Sequence, residues 1–492
     1  MFRAGITLGS LLSHRPRSWR LGASIPLMTQ GLVAAIWFWL ITSGTGQFSH
    51  QGFFRSRVYD AIARSLLELK TDVDPNDIGG EAFVVNGRVH TYFGIFPALL
   101  RVIPNALFPG YYGQWNRLSC VIAALLAMLA FHSLVRLRLD ENAQLSETQK
   151  TLLRSLLAAG FGLGTPILFI LSSSFAYHEA IIWGLAGSLS AILFFFRLLS
   201  QWSARSEFLF SCSTAVALLS RVTFGAPLLP VHFGMYLWQR RTPESRRALP
   251  RLWPILPAIL GLALQLWVNH DRFGSAFVTL DYRFYVGLQQ QPHTLATWSQ
   301  YGSLNVRRIP TNAASYFGFG GAVYSSAFPF VRMTLPEHGW RLYYHREPTV
   351  ALTVSAPWLL LFGAIGLALL LRNRHSEPPV WLLLVCLLGG GGSMLMYWLI
   401  TERYTAEFIP FFVALGVTGL PWLHAGSTRR WPSASFDVVL GALIAVSVYV
   451  TFFSSLASIG EYLGRYPGWT SLDTGIPESF SRDVARILTG DW

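Results

Sequence analysis

The chain has 492 residues, 52% of them hydrophobic and 13% charged. A soluble domain carries about a quarter charged residues, so this composition excludes an ordinary soluble protein and indicates a polytopic membrane protein. The formal charge of +13 does not describe a nucleic-acid binder: Lys is confined to Lys70 and Lys150, and the remaining basic residues are arginines, mainly in short loops between apolar runs.

Spans need about 20 apolar residues each. About eleven are expected, near 25–43, 116–135, 152–172, 179–199, 207–220, 223–238, 252–269, 350–371, 380–400, 406–424 and 437–457. The fold class is therefore all-α, a transmembrane helical bundle forming one domain over residues 1–492. The fifth and sixth spans are short and can be read as a hairpin split by Arg221. Arg3, Arg15, Arg17 and Arg20 precede an apolar run without a small-residue cleavage site, so no cleaved signal is expected. Cys120, Cys212 and Cys386 lie inside apolar runs and read as small core residues.

Orientation follows from the arginines. With the N-terminus inside, the inner loops collect Arg136, Arg138, Arg197, Arg205, Arg240, Arg241, Arg246, Arg247, Arg251, Arg372, Arg374, Arg429 and Arg430, as the positive-inside rule requires. Two long outer segments remain, 44–115 and 270–349, with short outer turns at Ser172–Glu179 and Thr401–Glu407 and an outer tail over 460–492.

The first outer segment holds six acids, Asp60, Glu68, Asp72, Asp74, Asp77 and Glu81, and is too long for a mere connector. Val58, Ile62, Leu66 and Leu69 recur at helical spacing and predict an amphipathic helix lying on the membrane surface. On that helix Asp60 falls within reach of Arg57 and Arg64 and reads as a surface ion pair. DPNDIGG then ends the helix, with Asp72, Asp74 and Asp77 as turn residues. Glu81 stands outside the helix, ahead of an Asn86-Gly87-Arg88 turn and the aromatic run HTYFGIFPALLRVIP. It is the acid best placed to be held rigidly near a cavity.

Charge inside a membrane costs about 2.5–3.5 kcal/mol at the centre of a span, so each such residue needs a reason. Glu179, beside His178, opens the fourth span; it suits either the positive end of the helix dipole or a cavity, as an acceptor-binding group or metal ligand. Arg221 has no acid near it in sequence and reads as a snorkelling arginine or as a clamp on a lipid phosphate. Arg403 and Glu407 are four apart at the start of the tenth span, so a shared helix face would pair them. Asn269, Asp271, Arg272 and Asp281 read as scaffold of the second outer segment.

These residues resemble the GT-C-fold glycosyltransferases, in particular the bacterial group related to protein mannosyltransferases and aminoarabinose transferases. The likeness rests on a first span followed by a long acid-bearing segment and on Glu81, Asn86-Gly87-Arg88 and Tyr92-Phe93-Gly94-Ile95-Phe96-Pro97-Ala98-Leu99-Leu100. Glu179, the run Arg403, Tyr404, Glu407, Pro410, and Asn269, Arg272, Phe273, Gly274 add to it. The chain departs from many members in having GQFSHQ where an Asp or Asp-Glu pair follows the first span.

The resemblance implies an integral protein of the bacterial inner membrane that moves a sugar from a polyprenyl-phosphate donor to a glycan, lipid or protein acceptor on the outer face. A carboxylate would act as base in an inverting step, leaving Glu81, Asp60 and Asp77 open. Arg221, Arg403 and Tyr404 would bind the donor phosphate. His178, Glu179 and Glu407 would lie near the acceptor or a metal, with Glu179 as ligand for Mg2+ or Mn2+. Alternative functions are a lipid-linked glycan polymerase or ligase, which also handles lipid pyrophosphates, and a transporter or flippase. The second is disfavoured by the lack of repeated halves.

Overall fold

The computed structural model describes residues 17–48, 56–241, 253–289, 291–336, 342–343, 345–372, 378–423 and 433–465. The expected tail beyond Arg465 and the basic loops at Arg246–Arg251, Arg374 and Arg429–Arg430 lie outside them. After α1 (Arg17–Ile41), the first long segment folds into α2 (Val58–Leu67), α3 (Pro75–Ile78), the hairpin β1–β2 (Phe83–Val85, Arg88–His90) and α4 (Phe96–Leu107). A helical run follows: α5 (Asn116–Asp140), α6 (Glu147–Leu163), α7 (Ile167–Ser173), α8 (Ala176–Ser200), α9 (Ala204–Ser220), α10 (Val222–Gly225), α11 (Leu228–Arg241) and α12 (Leu256–Phe273). The second long segment carries α13 (Val286–Gln289), α14 (Pro292–Tyr301), α15 (Ile309–Phe317), β3–β4 (Ala322–Tyr324, Val331–Met333), β5 (His345–Arg346) and α16 (Leu352–Ser355). The chain then returns through α17 (Pro357–Arg372), α18 (Pro378–Gly392), β6 (Leu399–Ile400), a 3-10 stretch (Glu402–Phe408), α19 (Ile409–Gly419) and α20 (Ser433–Arg465).

Among the described residues five helices are long and apolar enough to cross a membrane: Asn116–Asp140, Ala176–Ser200, Pro378–Leu395, Glu402–Trp422 and Ser435–Ser458. A sixth is formed if α6 and α7, bent by 43° at their junction, count as one. Ile25–Ile41 and Pro357–Arg372 are apolar but shorter, and the other expected spans coincide with α9, α11 and α12. The chain is an integral membrane protein; the count of about eleven is not reproduced on length and apolarity. The core runs through α8, buried along most of its length and packed on α5 and α9.

The first segment differs from expectation in one respect. Residues Val58–Ala63 of α2 are buried, and this face of the helix packs on α4. The exposed apolar face belongs to α4, through Leu99, Leu100, Ile103 and Leu107. The Asn-Gly turn is as read: Asn86 and Gly87 both have positive φ, 50° and 77°, and close an antiparallel hairpin with Phe83 opposite His90, the pairing that type I′ turns favour.

Candidate functional site

The site forms where the first segment, the start of α8, the ends of α9 and α12, and the 3-10 stretch before α19 meet. Gly94 lets the aromatic run dock here. A Cβ at Gly94 would lie 2.0 Å from the Ser220 carbonyl oxygen, so only glycine allows this approach to the residue preceding Arg221. Gly391 does the same for α18, where a Cβ would lie 2.8 Å from the Glu407 carbonyl oxygen.

Arg221, Arg403 and Tyr404, expected to bind phosphate, do converge. The Arg221 guanidinium lies 4.9 Å from the Tyr404 ring centre and that of Arg403 5.4 Å from it. Arg403 also lies 4.9 Å from the Tyr177 ring. The expected Arg403–Glu407 pair does not form. Residues 402–408 are a 3-10 helix, whose three residues per turn carry positions four apart to different faces. Arg221 takes Glu407 instead, donating from Nε, and Thr223 donates to its other oxygen at 2.8 Å. Arg403 Nη1 donates to Glu347 Oε2 at 2.5 Å, and Thr401 donates to the same oxygen. Glu347 arrives through the parallel pairing of β5 with β6. Glu402 turns away and accepts from the Val350 N–H at 2.7 Å.

Beside the arginines stands a wall of tyrosines drawn from separate parts of the chain. Tyr92 has Tyr177, Glu81, Tyr404 and Tyr282 among its electrostatic neighbours, and burial raises its phenol far above the ordinary value. The Tyr282 and Tyr397 hydroxyls are 2.9 Å apart, and the Tyr397 ring lies 5.7 Å from that of Tyr404. Tyr92, Tyr177 and Tyr397 are half-buried and form the accessible part of the wall. Glu81, 8% exposed, accepts from the Tyr285 hydroxyl at 3.0 Å. Its hairpin is tied to the second segment by the bridge of Phe83 to Tyr285. Sequence reading missed Tyr177, Tyr282, Tyr285, Tyr397 and Glu347 as site residues, because no local motif marks them; Tyr92 stands in the aromatic motif, which assigns it no role of its own.

Two other candidates belong to a buried charge cluster. Asp60 is fully buried and faces Arg101, with Arg101 Nε 3.4 Å from Asp60 Oδ2; it pairs with neither Arg57 nor Arg64, because α2 turns that face inward. Burial raises the Asp60 carboxyl, against the pull of Arg101. Both oxygens of Glu179 accept from Arg101, at 2.6 and 2.8 Å, a bidentate geometry suited to a carboxylate. Arg101 also donates to the Pro97 carbonyl and to Asn116 Oδ1, and its guanidinium lies 5.0 Å from the Tyr59 ring centre. Asp77 accepts from the Tyr112 hydroxyl at 2.9 Å. His178 is buried between Phe169 and Phe175. At the expected Glu179 metal site each carboxylate oxygen accepts from Arg101, and among the described residues no group of three or more His, Cys, Asp or Glu could hold a metal.

The motif Asn269, Arg272, Phe273, Gly274 is a clamp between the two long segments. Asn269 donates to the Ala276 carbonyl, Arg272 to the Phe93 carbonyl at 2.9 Å, and Phe273 meets Phe83 edge-on. Gly274 ends α12 in the left-handed conformation. Nearby, Thr71 bridges His90 and Asp271, at 3.2 and 2.7 Å.

No family model matches the sequence, and no curated protein matches it. Among solved structures it is similar to the oligosaccharyltransferase of Archaeoglobus fulgidus in the apo form, at 13% identity and a TM-score of 0.45, covering 90% of this chain and 58% of that one. It is also similar to the archaeal oligosaccharyltransferase AglB of Archaeoglobus fulgidus in complex with an inhibitory peptide and a dolichol-phosphate, at 15% identity and a TM-score of 0.45, covering 88% of this chain and 56% of that one. The chain thus spans less than two thirds of the length of these structures.

Proposed function

We propose that the protein is a membrane glycosyltransferase that moves a sugar from a polyprenyl-phosphate donor to an acceptor hydroxyl at the outer face of a bacterial inner membrane. The observation that carries this reading is the convergence of Arg221 and Arg403 on Tyr404, next to the tyrosine wall that includes Glu81. Guanidinium groups match phosphate oxygens, and aromatic faces with phenol hydroxyls suit a sugar ring with its apolar face and polar rim.

In the proposed step Glu81 takes the proton of the acceptor hydroxyl as its oxygen bonds to the anomeric carbon. The bond from that carbon to the phosphate oxygen breaks with inversion, and polyprenyl phosphate leaves with the bonding pair. Arg221 and Arg403 stabilise the charge that develops on the leaving phosphate. The Tyr285 hydroxyl bond holds Glu81 in place, as a general base requires. Asp60 and Asp77 are poorer candidates for this role, since the first faces Arg101 with no exposed surface and the second also lies 3.9 Å from the Arg57 guanidinium.

The test is release of polyprenyl phosphate by the purified protein in lipid nanodiscs, offered polyprenyl-phosphate hexoses and pentoses with a membrane extract as acceptor source. Release that depends on the protein and is lost in Arg221→Ala supports the reading. Absence of any release or donor binding across the panel refutes it.

A further inference from the structure

Arg221 and Arg403 are held in different ways. Arg221 is fixed through Nε by Glu407, whose side chain is 1% exposed and whose other oxygen is held by Thr223. The backbone of Glu407 is pressed against Gly391. This grip leaves Nη1 and Nη2 of Arg221 without a hydrogen-bond partner among the described residues, on a side chain 20% exposed. Arg403 donates a terminal nitrogen to Glu347, whose side chain is 28% exposed and which follows β5, its own N–H donating to the Ile400 carbonyl at 2.8 Å.

One oxygen of Glu347 therefore receives both Arg403 Nη1 and the Thr401 hydroxyl. Two donors converging on one anionic oxygen at the accessible end of a site are the arrangement a phosphate oxygen would meet there. A carboxylate whose side chain is 1% exposed, as in Glu407, is costly to move, whereas one 28% exposed, as in Glu347, exchanges more readily.

We infer that Glu347 stands in for a phosphate oxygen and is the counterion that the lipid phosphate displaces from Arg403, while Glu407 is a fixed positioning residue that aims Arg221 at the same phosphate. This rests on the proposed phosphate-bearing donor. It gives the two carboxylates opposite signs. Removing the charge of Glu347 frees Arg403 and strengthens phosphate binding; removing that of Glu407 releases Arg221 from its orientation and weakens it. A general effect of net charge would strengthen binding in both.

The experiment measures binding of farnesyl phosphate to the full-length protein in nanodiscs, with farnesol as the control for the lipid tail and thermal unfolding as the control for folding. Glu347→Gln is expected to bind farnesyl phosphate about tenfold more tightly than the wild type and Glu407→Gln about tenfold more weakly, with farnesol binding unchanged in both. Thr223→Val, which releases one oxygen of Glu407, gives a milder weakening and serves if Glu407→Gln does not fold. Tightening in both glutamate variants, or weakening in both, overturns the assignment. If the wild type does not prefer farnesyl phosphate to farnesol, the phosphate reading itself fails and the inference falls with it.

Discussion

Arg101 is the cation that faces two fully buried carboxylates, Asp60 and Glu179, so replacing it with Met tests how the first segment is anchored to the bundle. The variant keeps the apolar stem and leaves both acids without their cation. A carboxyl with a pKa near 4.3 costs about 4 kcal/mol to protonate at pH 7, at about 1.4 kcal/mol per unit. Breaking a buried pair by removing one partner costs about 3–5 kcal/mol in measured cases. Arg101→Met should therefore lose about 4 kcal/mol or more at pH 7. The loss should shrink on acidification, because burial raises the Asp60 carboxyl in the folded state and the penalty of leaving it without its cation grows as pH rises through the carboxylate range. Adding Asp60→Asn and Glu179→Gln should restore at least half of it. Cys120 is buried beside the cluster, so thiol labelling on heating, in a variant lacking Cys212 and Cys386, reports its opening. If Arg101→Met resists labelling as the wild type does, the cluster does not hold the segment in place.

Gly94→Ala should displace the aromatic run, since its Cβ would fall 2.0 Å from a carbonyl oxygen; a loss of about 1–3 kcal/mol, with weaker donor binding, is expected in thermal and binding assays. His90 is buried and its pKa lies below the ordinary 6.5 because of that burial. The unfolded chain then binds this proton more readily, so stability falls as pH drops below 6.5, and His90→Gln should flatten that acid limb in pH-resolved unfolding; an unchanged limb would show that other groups cause it. Reporter fusions after Arg247 and Arg430 should read as cytoplasmic and one after Gly460 as external; a cytoplasmic signal at Gly460 would reverse the assigned side of the tail.

What could be read from the sequence was local or strongly periodic. The Asn86-Gly87 turn follows from backbone preference alone, Arg221 is singled out by a charge that a membrane tolerates only with a reason, and its grouping with Arg403 and Tyr404 is what the family resemblance implies. Asp60 was misread because helical spacing shows partners three or four residues away, whereas its cation, Arg101, stands on another helix. The same limit hid Glu347, which reaches Arg403 through a two-residue parallel pairing, and the tyrosines, which are contributed by both long segments and two turns. Arg403 and Glu407 were paired on an α-helical face that the 3-10 stretch does not form. The count of about eleven spans is not reproduced on helix length and apolarity among the described residues, because an apolar run in sequence does not reveal how much of it one straight helix uses; the bend between α6 and α7 is such a case.

The central claim is that Glu81, held by Tyr285 beside the tyrosine wall, is the base of a sugar transfer. Glu81→Gln keeps the shape and removes the base, so single-turnover transfer from bound donor, measured alongside donor affinity, tests it most directly. The account predicts loss of transfer by at least about a hundredfold with donor affinity within a factor of about two of the wild type, while Asp60→Asn and Asp77→Asn retain measurable transfer. Near-normal transfer in Glu81→Gln, with transfer abolished in Asp60→Asn and that variant still folded, would contradict it and move the base to the buried cluster on α2.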